Sequence, residues 1–152
     1  MNSHFLSKRL AHQLSIIGLI PFLLLTLACW ITHPDWLEGF VYAQSAYGIA
    51  ILSFLGGIHW GVALTSPELT SAQTRRALFW GVVPSMIAWC SKINFGFGFF
   101  VLIFGFIVSY QIDKRLYLTY QMPDWFLVLR RYLTIVVVGS LALTVLAVNV
   151  RA

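Results

Sequence analysis

Apolar residues dominate five stretches of this chain, and charged residues fall almost entirely between them. A helix needs about 20 apolar residues, with a range of about 17–25, to cross a bilayer. The third stretch is short and the fourth is marginal, so a re-entrant hairpin made of both is the alternative. We predict an all-α membrane protein, one domain over residues 1–152 with five transmembrane helices, at residues 14–31, 41–64, 77–91, 95–111 and 132–150.

The composition agrees with this pattern. Of the 152 residues, 59% are hydrophobic and 10% are charged, whereas a soluble domain is about half apolar and a quarter charged. A water-soluble fold of this size could not hide so much apolar surface, so the lipid bilayer is the expected partner. The net charge of +5 does not indicate nucleic-acid binding, because nearly all basic residues lie in loops.

The basic residues also predict an orientation. They precede the first and third predicted helices and cluster between the fourth and fifth, whereas the loop at 32–40 has none. The positive-inside rule therefore places the N-terminus in the cytoplasm, with eight of the ten Lys and Arg residues on that side. Five crossings put the C-terminus outside. A re-entrant third and fourth segment would move the 114–131 cluster outside, which argues against it.

Two segments have alternative interpretations. Residues 113–131 mix aromatic and charged side chains, so we expect an interfacial cytoplasmic segment, broken at Pro123; a solvated loop is the alternative. The first apolar stretch follows basic residues, as in a signal peptide. It is long for the apolar region of a signal peptide, so we expect a retained helix.

His59 lies inside the second predicted helix, where an ionisable side chain is costly. In the third predicted helix, Pro84 leaves the carbonyl of Trp80 without its helical donor, at a similar depth. A structural interpretation is that the His59 imidazole satisfies this region, directly or through water.

Three functional interpretations compete with that structural role. His59 could relay protons, although a relay needs several ionisable groups in series. It could ligate haem, but only a dimer would supply a second histidine at that depth. With Trp60 and nearby aromatic residues it could line a pocket for a quinone or lipid. No motif for catalysis or metal binding is present, so the leading expectation includes no catalytic residue, metal or cofactor.

Gly57 and Gly61 form a GxxxG pair, which lets helix backbones approach closely in lipid. The pair predicts either packing within the chain or a homodimer contact. Cys29 and Cys90 both approach the predicted outer boundary, and the sequence does not decide whether they pair.

The run from Ala46 through His59-Trp60-Gly61 resembles the signature of the membrane family catalogued as domain of unknown function 3429. The resemblance continues at Val83-Pro84-Ser85, Trp89, Asp113-Lys114-Arg115, Pro123, Trp125, Arg130 and Leu133-Thr134. It covers most of the chain from residue 44 to residue 139. It implies an inner-membrane protein of bacteria or mitochondria and implies no activity; we expect the bacterial inner membrane.

These patterns lead to one set of candidate residues and one leading function. We expect ligand or packing contacts at His59, Trp60, Gly57, Gly61, Trp80, Pro84 and Trp89, and a cytoplasmic-face network of Asp113, Arg115, Trp125 and Arg130. In that network Asp113 is expected to pair with Arg130 or Arg115. The leading function is a non-enzymatic scaffold or accessory bundle that packs against partner helices or binds an apolar ligand. The alternatives are a transporter, channel or proton-relay component, and a quinone- or haem-linked oxidoreductase subunit.

Overall fold

The computed structural model describes residues 3–151, with side chains for residues 8–94 and 96–151. This part of the chain forms five helices and no strand: α1 (Ser3–Ile31), α2 (Pro34–Thr65), α3 (Ser71–Cys90), α4 (Phe95–Leu116) and α5 (Asp124–Arg151). Helices α1, α2, α4 and α5 contain segments long and apolar enough to cross a membrane. Helix α3 is less apolar, but its 20 residues span about 30 Å at 1.5 Å per residue. The prediction of an all-α multi-pass membrane bundle is confirmed; its orientation stays a prediction.

Most of the helices extend beyond the apolar stretches that predict them. The predicted interfacial segment at 113–131 is wrong as a separate element, because its first residues continue α4 and its last residues begin α5. Only residues 117–123 connect the two helices, with Gln121 at a positive φ of 50°. Hydropathy marks the depth of a residue in lipid, whereas charged and aromatic residues also form helix, so the helices continue past the apolar boundary.

Local capping explains where α2, α3 and α4 begin. His33 precedes α2, and Pro34 occupies its first turn, where a missing N–H is harmless. Thr70 and Gln73 form a reciprocal capping box at α3, and the Asn94 side chain accepts from the Gly96 amide at 3.0 Å. Each cap satisfies amides that the first helical turn leaves free.

The order of packing brings the first and last helices together. Helix α1 packs against α2 and α5, while α4 packs against α2, α3 and α5. Arg151, the last residue of α5, donates to the carbonyls of Cys29 and Thr32 at the end of α1. The shared core is apolar, with fully buried side chains that include Phe22, Leu52, Leu102, Phe106 and Leu141.

A buried network of neutral polar side chains joins α1, α2 and α5 away from His59. The Thr144 hydroxyl donates to the Gln44 amide oxygen at 2.6 Å. The Gln44 amide nitrogen donates to Thr26 at 2.9 Å, and Thr26 donates to the Ser140 carbonyl at 3.2 Å. Interhelical hydrogen bonds of this kind hold helices together in lipid.

Candidate functional site

A buried ionic cluster occupies the predicted cytoplasmic end of the bundle, where α2, α4 and α5 meet. It contains His59 from α2, Asp113 from α4 and Arg130 from α5. The Arg130 Nε donates to the Asp113 Oδ2 at 2.7 Å, and the His59 Nε2 lies 3.2 Å from the Asp113 Oδ1. The second contact is at ion-pair distance but lacks hydrogen-bond alignment. One carboxylate therefore joins three helices through two basic side chains.

The cluster is shielded from solvent. The side chains of Asp113 and Arg130 are only 6% and 5% exposed, and that of His59 is 2% exposed. A buried charge is tolerated when a partner compensates it. Asp113 and Arg130 provide one negative and one positive charge, so the cluster is neutral overall whenever the imidazole is neutral.

Tyr120 closes the cluster from the 117–123 connection. Its hydroxyl lies 3.1 Å from the His59 Nδ1, and we assign it as the donor, with the imidazole proton on Nε2 facing the carboxylate. Burial raises the pKa of Tyr120 to about 12, with a further contribution from the negative charge of Asp113; Arg76 acts in the opposite direction. The hydroxyl therefore stays protonated as a donor over the whole physiological range.

The predicted contact between His59 and the region around Pro84 is wrong. Helices α2 and α3 are extensively packed, but the imidazole faces α4 and the connection to α5. The neighbouring Trp60 contacts α3 instead, and its indole N–H donates to the Leu78 carbonyl at 3.1 Å. Consecutive residues of a helix point about 100° apart, so Trp60 contacts α3 while His59 does not. The Trp60 bond goes to the carbonyl of Leu78 and not to that of Trp80, which was the predicted acceptor.

The predicted packing role of Gly57 and Gly61 within the chain is also wrong. A Cβ atom added at either position would meet nothing within 4 Å. The close approach occurs one residue earlier, because a Cβ on Gly56 would overlap the carbonyl oxygen of Gly81. Gly81 in turn lies under the Trp60 ring. The homodimer contact through Gly57 and Gly61 stays a prediction.

The other candidate residues lie away from the ionic cluster. Arg115 does not pair with Asp113; it lines a separate cavity of about 190 Å³ with Trp80 and Arg76. Trp89 is 63% exposed. The Trp125 ring lies 5.3 Å from the His12 ring, between centroids. Cys29 is buried and Cys90 is exposed, and neither is in a disulfide.

A cavity of about 330 Å³ opens between α1, α2, α4 and α5. Its wall is mostly apolar, with Leu14, Phe22, Phe54 and Phe106 among the lining residues, and Arg130 and Thr134 also belong to it. Because Arg130 is part of both, the cavity and the ionic cluster are adjacent. Pockets of about 300–1,000 Å³ with mostly apolar walls and a few polar groups are typical of small-molecule sites.

Two residues at this site, Tyr120 and Thr134, are not among those that the sequence predicts. Tyr120 lies in a short connection with no helical periodicity, so only the three-dimensional path of the chain brings it to His59. Thr134 is one turn beyond Arg130 on α5, a spacing of four residues that places both on one helix face. That spacing and the family resemblance at Leu133-Thr134 were the two available signals. Among the described residues, no three or more His, Cys, Asp and Glu side chains group as metal ligands would.

Comparison with known proteins identifies relatives. A family model described as "Protein of unknown function (DUF3429)" matches residues 7–146. The chain is 38% identical to transmembrane protein 69 of Xenopus tropicalis over 86% of the chain, and 30% identical to that of Mus musculus over 95%. It spans about half the length of these relatives, 51% and 58%. No solved structure matches.

Proposed function

The chain belongs to the DUF3429 family, and on that premise we propose that it is a non-enzymatic accessory protein that binds an apolar ligand within the membrane. The observation that carries the proposal is the cavity of about 330 Å³ bordered by Arg130. Four helices form its wall, so an occupant would contact most of the bundle. Such a site suits a lipid-like molecule with a small polar group.

In this proposal the ionic cluster positions one end of the site. Asp113 holds the guanidinium of Arg130 through Nε. His59 from α2 lies against the same carboxylate, and Tyr120 from the 117–123 connection bonds His59. An arginine side chain has several rotatable bonds, and fixing them before binding lowers the entropy that binding loses. The cluster is thus a positioning device for Arg130.

The transport and proton-relay alternative has less support. Tyr120 and Asp113 give His59 two titratable neighbours, which a relay requires. The buried polar side chains described in the other half of the bundle, such as Gln44 and Thr144, do not titrate at physiological pH. A proton path across the whole membrane would therefore need groups that this described core does not supply.

The location is part of the proposal. A multi-pass membrane protein is expected to contact the bilayer through its exposed apolar side chains, which include Leu24, Phe79, Phe97 and Phe104. The two relatives are vertebrate proteins and do not bear on a bacterial location. The bacterial inner membrane expected from the sequence is our proposal for this chain.

A matched pair of glycine substitutions tests the ligand site. Gly18 lines the cavity, and a Cβ there would find its nearest neighbour at 4.0 Å; Gly139 on α5 has open space. Gly18→Leu should fill part of the cavity, whereas Gly139→Leu should not. Both changes favour helix formation, so neither should prevent folding.

The measurement is native mass spectrometry of lipid retained after purification in mild detergent. We expect a lipid to remain bound to the wild type and to Gly139→Leu, and to be lost from Gly18→Leu. Equal retention by Gly18→Leu, or no retained lipid in the wild type, would overturn the proposal.

A further inference from the structure

We infer that the ligand of this cavity has an uncharged head group with a carbonyl oxygen, which accepts hydrogen bonds from Arg130 and Thr134. The inference rests on the proposed function and specifies the chemistry of its ligand. It comes from the unpaired polar atoms in the cavity wall and from the charge balance of the ionic cluster.

Two residues that line the cavity carry donor atoms with no partner among the described residues. The Arg130 Nη2 and the Thr134 Oγ1 are both buried and have no hydrogen-bond partner. The residues themselves are 4% and 7% exposed. Most buried polar groups in proteins have a partner, and an unsatisfied one is unfavourable. Both residues line the cavity, but the two donor atoms themselves have no exposed surface. An acceptor on a ligand head group would reach them after a small shift of the Thr134 side chain and of the outer guanidinium nitrogens, while Asp113 keeps holding the Arg130 Nε.

The charge balance selects the kind of acceptor. Arg130 already pairs with Asp113 at 2.7 Å, and His59 and Tyr120 complete the cluster. Arg76, whose charge also acts on Tyr120, is exposed, so solvent screens it. An incoming carboxylate would place a second negative charge beside that of Asp113 in a buried site, which is unfavourable. A carbonyl oxygen accepts the same hydrogen bonds without adding charge.

The size of the cavity and the rings in its wall agree with a carbonyl-headed lipid of one chain. A volume of about 330 Å³ is near the lower end of small-molecule sites, so it suits one chain better than two. Phe22, Phe54 and Phe106 contribute aromatic rings to the wall. Both a quinone ring and an acyl ester provide the required carbonyl.

The test compares probes of similar length but different heads. Purified protein at pH 7.5, in a fixed detergent concentration, is titrated with methyl decanoate, decanoate, undecane and 2-decyl-1,4-benzoquinone at equal mole fractions. Binding is measured as the rise in unfolding temperature, since a ligand of the folded state stabilises it. We expect methyl decanoate or the quinone to act at lower concentration than decanoate and undecane, and the better of the two identifies the source of the carbonyl.

The outcomes separate the two proposals. Equal action by undecane, or stronger action by decanoate, would overturn the carbonyl inference and leave apolar binding in place. No saturable effect of any probe would overturn both the inference and the proposed function.

A threonine pair provides the variant and its control. Thr134→Val should leave the unliganded protein at least as stable, because its hydroxyl has no partner. It should weaken binding of the carbonyl probe roughly fivefold to tenfold, as expected for one lost hydrogen bond, and leave undecane unaffected. Thr144→Val removes a bond to Gln44, so it should lower stability and leave binding unchanged. Unaltered carbonyl binding by Thr134→Val would count against the inference.

Discussion

Replacing Asp113 by Asn should destabilise the bundle far more than the same change at an exposed ion pair. Asn keeps the shape of the side chain but removes its charge, which leaves Arg130 as an unpaired cation that is 5% exposed. Arginine cannot release its proton in proteins. Removing one partner of a buried pair typically costs about 3–5 kcal/mol, or a factor of roughly 10²–10⁴ in the folding equilibrium.

Asp35→Asn is the matched control. Asp35 lies 3.2 Å from His33, but the two side chains are 83% and 70% exposed. Exposed pairs contribute about 0–1 kcal/mol. The two substitutions therefore have the same chemistry, and each removes a carboxylate 3.2 Å from a histidine nitrogen. They differ in burial and in the presence of Arg130.

The free energy of unfolding can be measured by titrating the folded protein from mild detergent into dodecyl sulfate and following helicity. Limited chymotrypsin digestion reports on the order of the 117–123 connection. Tyr120 in that connection bonds His59, and His59 lies against Asp113. We expect Asp113→Asn to unfold at lower dodecyl sulfate and to be cleaved faster there. A loss no larger than that of Asp35→Asn would refute the reasoning.

A double variant separates charge from packing. Asp113→Leu combined with Arg130→Met replaces the pair by apolar side chains of comparable size. Such exchanges of buried ion pairs are often neutral or stabilising, so most of the loss seen in Asp113→Asn should be recovered. If the double variant is as unstable as the single one, the loss comes from packing.

Two further predictions use other contacts. Gly56→Ala should lower stability by about 1–3 kcal/mol, the usual range for overpacking, because the added Cβ meets the backbone of Gly81. Gly57 has open space around an added Cβ, so Gly57→Ala should be neutral or stabilising. Equal effects of the two substitutions in dodecyl sulfate titrations would contradict this. For Tyr120 the folded pKa of about 12 exceeds the ordinary value of about 10, so the contribution of its protonated hydroxyl is complete below pH 10 and is lost as the pH rises through 12. Tyr120→Phe should remove that part of the alkaline destabilisation. At neutral pH it should lower the free energy of unfolding by about 1 kcal/mol, because the hydrogen bond to His59 is lost. An unchanged dependence of stability on alkaline pH would argue against the contact.

The helices and the end of the bundle that holds the charges could be predicted from the sequence. Long apolar stretches separated by basic residues leave few other possibilities for a chain in lipid. The sequence predicts that Asp113 pairs with Arg130 or with Arg115. In the structure Arg130 contacts Asp113, and Arg115 lines a separate cavity. Both arginines lie in the same basic cluster, so only the relative rotation of α4 and α5 could distinguish them.

The partners of His59 and of the glycines could not be predicted from the sequence. Which face of α2 meets α3 depends on the rotation of both helices, and this rotation decides whether His59 or Trp60 contacts α3. The glycine prediction is wrong by one residue for the same reason, because Gly56 and not Gly57 makes the close approach to α3. Because apolar residues surround all sides of a membrane helix, hydrophobic periodicity does not fix that rotation.

The contact of α1 with α5 affects how the protein is made. Synthesis proceeds from the N-terminus, so α1 is available long before α5 has left the ribosome. Helix α1 packs against α2 and α5 in the finished bundle, so until α5 is made only α2 is present as a partner. The cavity takes its wall from α1, α2, α4 and α5, so a nascent chain cannot form the proposed ligand site before α5 has joined the bundle.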